Sequence, residues 1–183
     1  MNPNLAGDPY LTKDVRNIRQ VIRYLERKIR KEHRGLILDV GQRSPLTDAI
    51  DGYFPYSYIS NTEGDLDIEF RIPTKYYDVI VYSHTIEHQH NPLYTLLKIK
   101  DVMLTRGRMF IILPSRPHFL REKQHHYHEI DRHAMKLLIE SAGMRIMSYE
   151  RQKHWRYWKQ YLKGFRPLCR LFFEFNAYYE VWK

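Results

Sequence analysis

The sequence is poor in cysteine and has no long apolar run. Cys169 is the single cysteine among 183 residues, so an intramolecular disulfide and a cysteine-rich zinc site are both excluded. One cysteine is typical of a reducing compartment. No apolar run approaches the roughly 18 residues of a membrane-spanning helix, and Asn2, Asn4 and Asp8 leave no apolar core for a signal peptide. These absences predict a soluble cytoplasmic protein.

The chain contains enough apolar sequence for one folded domain. Apolar residues make up 43% of the chain and charged residues 28%, a composition far from that of disordered proteins. The length suits a single domain over residues 1–183, with a core that needs no covalent cross-links. The net charge of +9 indicates an anionic partner: a nucleic acid, a membrane surface or a phosphorylated substrate.

Apolar runs of strand length alternate with stretches of helical periodicity. Apolar residues from Val15 to Ile29 recur at helical spacing, whereas residues 36–40 form a continuous run typical of a strand covered on both faces. The predicted helices span residues 12–33, 46–50, 92–104 and 132–142, and the predicted strands span 36–40, 56–60, 77–82, 108–113, 144–149 and 175–183. This alternation predicts a Rossmann-like, doubly wound α/β sheet, mostly parallel, with helices on both faces.

The first predicted turn has the residues of a ligand-binding loop. In a doubly wound sheet, ligands bind at the carboxyl ends of the strands. Gly41 follows the first strand and permits a tight turn. Ser44 and Pro45 are a typical helix cap and first helical residue, and a helix N-terminus offers backbone N–H groups to an anion.

Polar side chains follow the second predicted strand, about 20 residues further on, where such folds bind a ribose. Asn61 or Glu63 can hydrogen-bond a ribose diol, and Asp65 or Asp67 can accept a hydrogen bond from an adenine amino group. The sequence therefore predicts a nucleoside site at the ends of the first two strands.

Five segments in order resemble the class I S-adenosylmethionine-dependent methyltransferases, in the methyltransferase type 11-like branch. The segments are residues 37–41 (ILDVG), 64–67 (GDLD), 77–81 (YDVIV) with 85–88 (TIEH) and 91–92 (NP), 107–114 (GRMFIILP) and 137–144 (LLIESAGM). The resemblance covers a core of about residues 35–150. Residues 178–183 (YYEVWK) resemble the family's closing strand, which implies an antiparallel last strand.

The resemblance implies S-adenosylmethionine as the cofactor. Asp39 and Gly41 would shape the protein turn that binds the cofactor. The cofactor's ribose would face Asn61 or Glu63, and its adenine would lie near Asp65 and Leu66. Its methionine part would lie near the end of the third predicted strand, at Tyr82, Ser83 and His84.

The chain departs from the family at two glycine positions of the first motif, which Arg43 and Pro45 occupy. Arg43 can pair with the methionine carboxylate instead, or the departure marks a site that no longer binds cofactor. A dinucleotide is disfavoured, because its pyrophosphate needs the space that the Arg43 side chain takes.

Histidines near the expected reacting end are candidate general bases. Methyl transfer mainly requires alignment, and a base is needed only when the acceptor must lose a proton. His84, His88 and His126 are the candidates. The alternative for each is a surface histidine, or one that supports the site without touching the acceptor. No zinc-hydrolase spacing such as His-Glu-x-x-His occurs, so no metal site is predicted.

Residues 151–168 carry aromatic side chains every three or four residues among many basic ones, which predicts a helical insertion. Such a helix can form a lid over the acceptor, dock on anionic lipid or nucleic acid, or pack on the body of the domain. The sequence thus predicts methyl transfer to a small-molecule, sugar or lipid-linked acceptor. The alternatives are a non-catalytic binding or scaffold protein and, ranked lower, a nucleic-acid methyltransferase.

Overall fold

The computed structural model describes residues 9–115, 130–153, 169 and 172–183. Within these residues, the helices with defined bounds are α1 Pro9–Lys28, α2 Pro45–Tyr53, α3 Pro92–Val102 and α4 Arg132–Ser141, and a 3₁₀ turn spans Ile86–His88. The strands are β1 Leu36–Asp39, β2 Tyr58–Asn61, β3 Glu63–Asp65, β4 Glu69–Arg71, β5 Tyr77–Ser83, β6 Met103–Ser115, β7 Arg145–Lys153 and β8 Phe175–Trp182.

Six of these strands form one sheet in the order β2-β1-β5-β6-β8-β7. Strands β2, β1, β5 and β6 pair in parallel, and β8 runs antiparallel to both of its neighbours, β6 and β7. Strands β3 and β4 form a separate antiparallel pair. The predicted Rossmann-like, mostly parallel sheet with an antiparallel last strand is confirmed.

The core lies in two layers, one on each face of the sheet. Alternate residues of the central strands point to opposite faces. Leu38, Ile80 and Tyr82 belong to the layer that packs under α3 and α4, while Ile37 and Val79 belong to the layer under α1 and α2. Because both faces are covered, residues 36–38, 79–82 and 109–113 of the central strands form unbroken apolar or aromatic runs, as the sequence pattern indicates.

Helix caps were predictable from residue type. The Ser44 side chain accepts hydrogen bonds from the backbone N–H groups of Leu46 and Thr47, with Pro45 at the first helical position. The Asp131 side chain accepts from the N–H of Ala134 at the start of α4, and Gly143, with φ of +69°, follows the end of that helix. These predicted boundaries are confirmed.

Helix α1 and strand β6 differ most from their predicted bounds. Helix α1 ends at Lys28 rather than residue 33, although Ile29 beyond it is still buried. Strand β6 starts at Met103, directly after α3, and continues through Pro114 to Ser115. Strand β5 ends opposite Ile112, so Pro114 lies beyond the parallel pairing, where its missing N–H breaks no ladder bond on that side.

Two further differences concern short or extended strands. The β3–β4 pair was not predicted, because its residues are mostly exposed and polar. The predicted helical insertion was wrong at residues 151–153, which are the end of β7 and pair with β8. Residues 154–168 of that prediction lie outside the described residues. Among those described, no helix is both long and apolar enough to cross a membrane.

Gly107 tests how tightly the start of β6 packs. A Cβ there would lie 2.9 Å from the Tyr77 carbonyl oxygen and 3.0 Å from that of Leu104, both backbone atoms. We therefore expect Gly107→Ala to lower the free energy of unfolding by about 1–3 kcal/mol in urea titrations. The control is Gly52→Ala in α2, where an added Cβ meets nothing within 4 Å, so it should stabilise by about 0.5–1 kcal/mol. Equal effects would contradict this packing.

Candidate functional site

A pocket of about 280 Å³ lies between α1, the start of α2 and the end of β5. Helix α1 covers one side, and the residues after β1 and at the end of β5 form the others. The lining residues are Asn17, Ile18, Val21, Ser44, Pro45, Leu46, Ser83 and His84. The pocket therefore lies at the edge of the sheet where doubly wound folds bind ligands.

A buried carboxylate fixes the turn beside this pocket. The Asp39 side chain is 4% exposed and accepts a hydrogen bond of 2.5 Å from Thr47 Oγ1 in α2. The Asn61 amide, at the end of β2, donates to the Asp39 carbonyl oxygen at 3.1 Å and to Thr47 Oγ1 at 3.2 Å. The same amide lies 3.4 Å from the Asp39 carboxylate, so one carboxylate joins the end of β1 to both neighbouring elements.

Burial sets the protonation of this carboxylate. Removal from water raises the pKa of Asp39 to about 6, although the hydrogen bonds from Thr47 and Asn61 act in the opposite direction. The carboxyl is therefore costly to ionise, and these two donors stabilise its charged form.

Gly41 makes the turn that follows. Its φ of +124° is a conformation that favours glycine, and its N–H donates to Thr62 Oγ1 at 2.9 Å. A Cβ at this position would meet only Thr85 Oγ1, at 3.7 Å. The backbone of the turn therefore has open space above it, as close approach of a ligand requires.

Arg43 lies on the outer side of the same loop. Its guanidinium pairs with the Asp48 carboxylate at 2.7 Å, and both side chains are about 60% exposed. The predicted pairing of Arg43 with a methionine carboxylate stays a prediction.

His84 follows β5 in a left-handed conformation, with φ of +52°. Its N–H donates to the carbonyl oxygen of Ile112, at 2.8 Å, which ties the residue to β6. Nδ1 of its imidazole lies 3.5 Å from Glu87 Oε1. Its Nε2 and the neighbouring Ser83 Oγ are buried without hydrogen-bond partners. Strained, unsatisfied polar groups in a pocket wall are typical of ligand sites.

Glu87 is the acidic partner of this histidine. It is 2% exposed, and His88 Nε2 lies 4.0 Å from its Oε1. Burial alone would raise the pKa of Glu87, but the hydrogen bond from His84 and the charges of His84 and His88 outweigh burial and lower it. Glu87 is therefore held in its ionised, carboxylate form next to the His84 imidazole.

The other predicted site residues lie either in the core or on and beside strand β3. The Tyr82 side chain is fully buried in the core, and its hydroxyl donates to Gln89 Oε1. Glu63 and Asp65 are exposed on β3, and Leu66, next to them, packs partly on the core.

The structure thus brings Asp39, Gly41, Asn61, Ser83 and His84 together at the strand ends, with Glu63, Asp65 and Leu66 on the adjoining β3–β4 pair. His88 lies half-exposed behind Glu87, and His126 lies outside the described residues. Across the residues that the structure describes, no group of three or more metal-binding side chains could hold an ion.

Sequence reasoning assigned no role to Thr47, Thr62 or Glu87. Thr47 occupies the third helical position after the Ser44 cap, where its hydroxyl accepts from the Ser44 N–H at 3.0 Å, and that capping pattern could have identified it. Glu87 stands in the TIEH segment, where its spacing of three residues from His84 was the available signal.

Neither a family model nor a curated protein matches the sequence, but solved structures share its fold. Coclaurine N-methyltransferase, in a structure bound to N-methylheliamine and SAH, has a TM-score of 0.67 and 11% identity, covering 91% of this chain and 72% of that chain. An S-adenosylmethionine-dependent methyltransferase from Mesorhizobium loti has a TM-score of 0.57 and 10% identity, covering 88% and 96%.

The [4+2]-cyclase SpnF also matches, with a TM-score of 0.57 and 11% identity over 90% of this chain and 80% of that chain. The chain therefore has the Rossmann-like methyltransferase fold. Since a cyclase shares this fold, the fold alone does not determine the reaction.

Asp39 should make the protein less stable as pH rises, and Asp39→Asn should remove this pH dependence. Because the folded pKa of about 6 exceeds the ordinary value of 3.8, the folded state binds the proton more tightly between these values. We expect the free energy of unfolding of the wild type, relative to Asp39→Asn, to fall by about 2–3 kcal/mol from pH 4 to pH 7. Urea titrations across this range measure it, and a constant difference would contradict the assignment.

Proposed function

We propose that this protein transfers a methyl group from S-adenosylmethionine to a small-molecule, sugar or lipid-linked acceptor. The observation that carries the proposal is the pocket at the strand ends, with the buried, unpartnered Ser83 Oγ and His84 Nε2 in its wall. We also propose that the protein belongs to the methyltransferase type 11-like branch. A cytoplasmic location is part of the same proposal and is based on the single cysteine, Cys169.

The pocket suits the amino-acid half of the cofactor. Its volume of about 280 Å³ is at the lower end of the roughly 300–1,000 Å³ of ligand pockets, so it holds part of such a molecule. The start of α2 and the unpartnered polar atoms can bind charged and polar groups there. The adenosine half would pass over Gly41 toward Glu63 for the ribose and toward Asp65 and Leu66 for the adenine.

Arg43 is available to bind the methionine carboxylate. An ion pair between two exposed side chains contributes only about 0–1 kcal/mol, so the contact with Asp48 is easily exchanged for a ligand carboxylate. A planar guanidinium binds a carboxylate through two hydrogen bonds. This exchange would replace the backbone access that glycines at positions 43 and 45 give in the family.

His84 is the best-placed general base. S-adenosylmethionine supplies a methyl group that is already activated, so the protein mainly orients the acceptor. With Nδ1 toward Glu87, the Nε2 of His84 can accept a proton from an acceptor hydroxyl or amine. The Glu87 carboxylate then stabilises the imidazolium. His88 is a weaker candidate, since it is half-exposed. His126 is also a weaker candidate, because it lies outside the described residues.

A non-catalytic binding protein is the second candidate. It is favoured by Arg43 and Pro45 at the two glycine positions. In that case the pocket would serve binding alone. Cofactor affinity separates the two candidates.

Isothermal titration with S-adenosylhomocysteine tests the pocket. Ile18 lines it from α1, and a tryptophan there would fill the space. We expect micromolar binding by the wild type, at least about tenfold weaker binding by Ile18→Trp, and unchanged binding by the control Val15→Trp. Val15 is one turn earlier on α1 and 50% exposed.

Both variants should unfold cooperatively, which circular dichroism checks. No binding by the folded wild type at millimolar ligand would overturn methyl transfer and leave the non-catalytic candidate. Equal weakening by both tryptophans would place the ligand outside this pocket.

A further inference from the structure

One surface of the molecule combines exposed cations with exposed aromatic rings. Residues 16–34 contain eight basic side chains and two acidic ones. Helix α1 buries Val21, Tyr24 and Leu25, and Arg19 and Arg23 lie on its opposite, exposed face. Arg27 and Lys28, in contrast, pair with Glu150. The cations that remain for a partner therefore continue from α1 into the loop that follows it.

In that loop the cations meet tyrosine rings. The Lys31 ammonium lies 5.7 Å from the centre of the Tyr53 ring, and the Arg34 guanidinium lies 5.5 Å from that of Tyr56. The next ring, Tyr58, begins the edge strand β2, where its N–H bonds to the carbonyl oxygen of Gly35. Tyr56 is 61% exposed and Tyr58 is 66% exposed, so both rings face solvent.

We call this surface the arginine–tyrosine strip. It consists of Arg19, Arg23, Arg30, Lys31, Arg34, Tyr53, Tyr56 and Tyr58. Among the described residues, Arg19, Arg23 and Arg30 have no ion-pair partner. The acidic Glu26 beside the strip accepts a hydrogen bond from the Tyr53 hydroxyl at 2.6 Å. The strip therefore carries net positive charge interleaved with stacking surfaces.

We propose that the arginine–tyrosine strip binds single-stranded nucleic acid. Grooves that bind single strands combine cations, which contact the phosphates, with aromatic rings, on which bases stack without sequence preference. The strip supplies both. This binding is separate from methyl transfer, since none of its residues lines the pocket.

An anionic membrane is a poorer partner for the same strip. A helix that lies on a membrane inserts an apolar face, and the apolar face of α1 is already buried against the sheet. The aromatic side chains of the strip are all tyrosines, and their flat rings suit base stacking.

Fluorescence anisotropy with a labelled single-stranded RNA of about 12 nucleotides tests the strip, since such grooves take roughly 4–16 nucleotides. With about four phosphates contacted, the logarithm of the association constant should fall against the logarithm of salt concentration with a slope of about −3. Tyr56→Leu with Tyr58→Leu should weaken binding by at least about tenfold, while the corresponding phenylalanine variants retain it.

The cations are tested by Arg19→Gln with Arg23→Gln, which should reduce the salt slope by about 1 to 2. The matched control is Lys136→Gln with Arg145→Gln, which removes the same charge from α4 and β7. Lys136 is exposed beside Glu140, and Arg145 is exposed at the start of β7. Unchanged binding by this control supports the strip, and an equal loss overturns it.

Two further outcomes would overturn the proposal. One is no RNA binding by the folded wild type at about 0.1 M salt. The other is pelleting with vesicles of phosphatidylserine and phosphatidylcholine that depends on Arg19 and Arg23 and that RNA does not compete away, since this would assign the strip to lipid.

Discussion

The carboxylate of Asp39 is the constraint on which the ligand-binding edge of the molecule depends. A buried carboxylate must be hydrogen-bonded, and its donors come from two other elements, Thr47 Oγ1 in α2 and the Asn61 amide at the end of β2. Satisfying one group therefore sets where α2 begins relative to β1. That position in turn opens the turn at Gly41 and forms one wall of the pocket.

A second buried carboxylate lies after β5, but its pKa is shifted in the opposite direction. Glu87 is also buried, but a histidine from the preceding turn faces it, and this partner lowers its pKa where burial raises that of Asp39. The Asp39 carboxylate is thus occupied by structural donors, while Glu87 supports an imidazole whose Nε2 has no partner. Two buried acids, Asp39 at the end of β1 and Glu87 in the 3₁₀ turn after β5, serve different purposes. One holds the fold and the other serves the proposed chemistry.

The sheet and helix caps were predictable from sequence because local chemistry determines them. Apolar runs identify strands that are covered on both faces, and Ser44 and Asp131 are good caps in any context. The same apolar runs do not tell which face of the sheet a side chain occupies, so the burial of the Tyr82 side chain in the core had no signal in the sequence. Contacts between distant residues, such as Asn61 with Asp39, and the short exposed β3–β4 pair had no local signal.

A crystal structure of the complex with S-adenosylhomocysteine tests the central claim most directly. The claim is that the edge of the sheet set by Asp39 is a cofactor site. It predicts density for the amino-acid half in the pocket beside Ser83 and His84, and for the adenosine half over Gly41 toward Glu63. Density at any other place on the molecule, or none in crystals soaked at millimolar ligand, would contradict it.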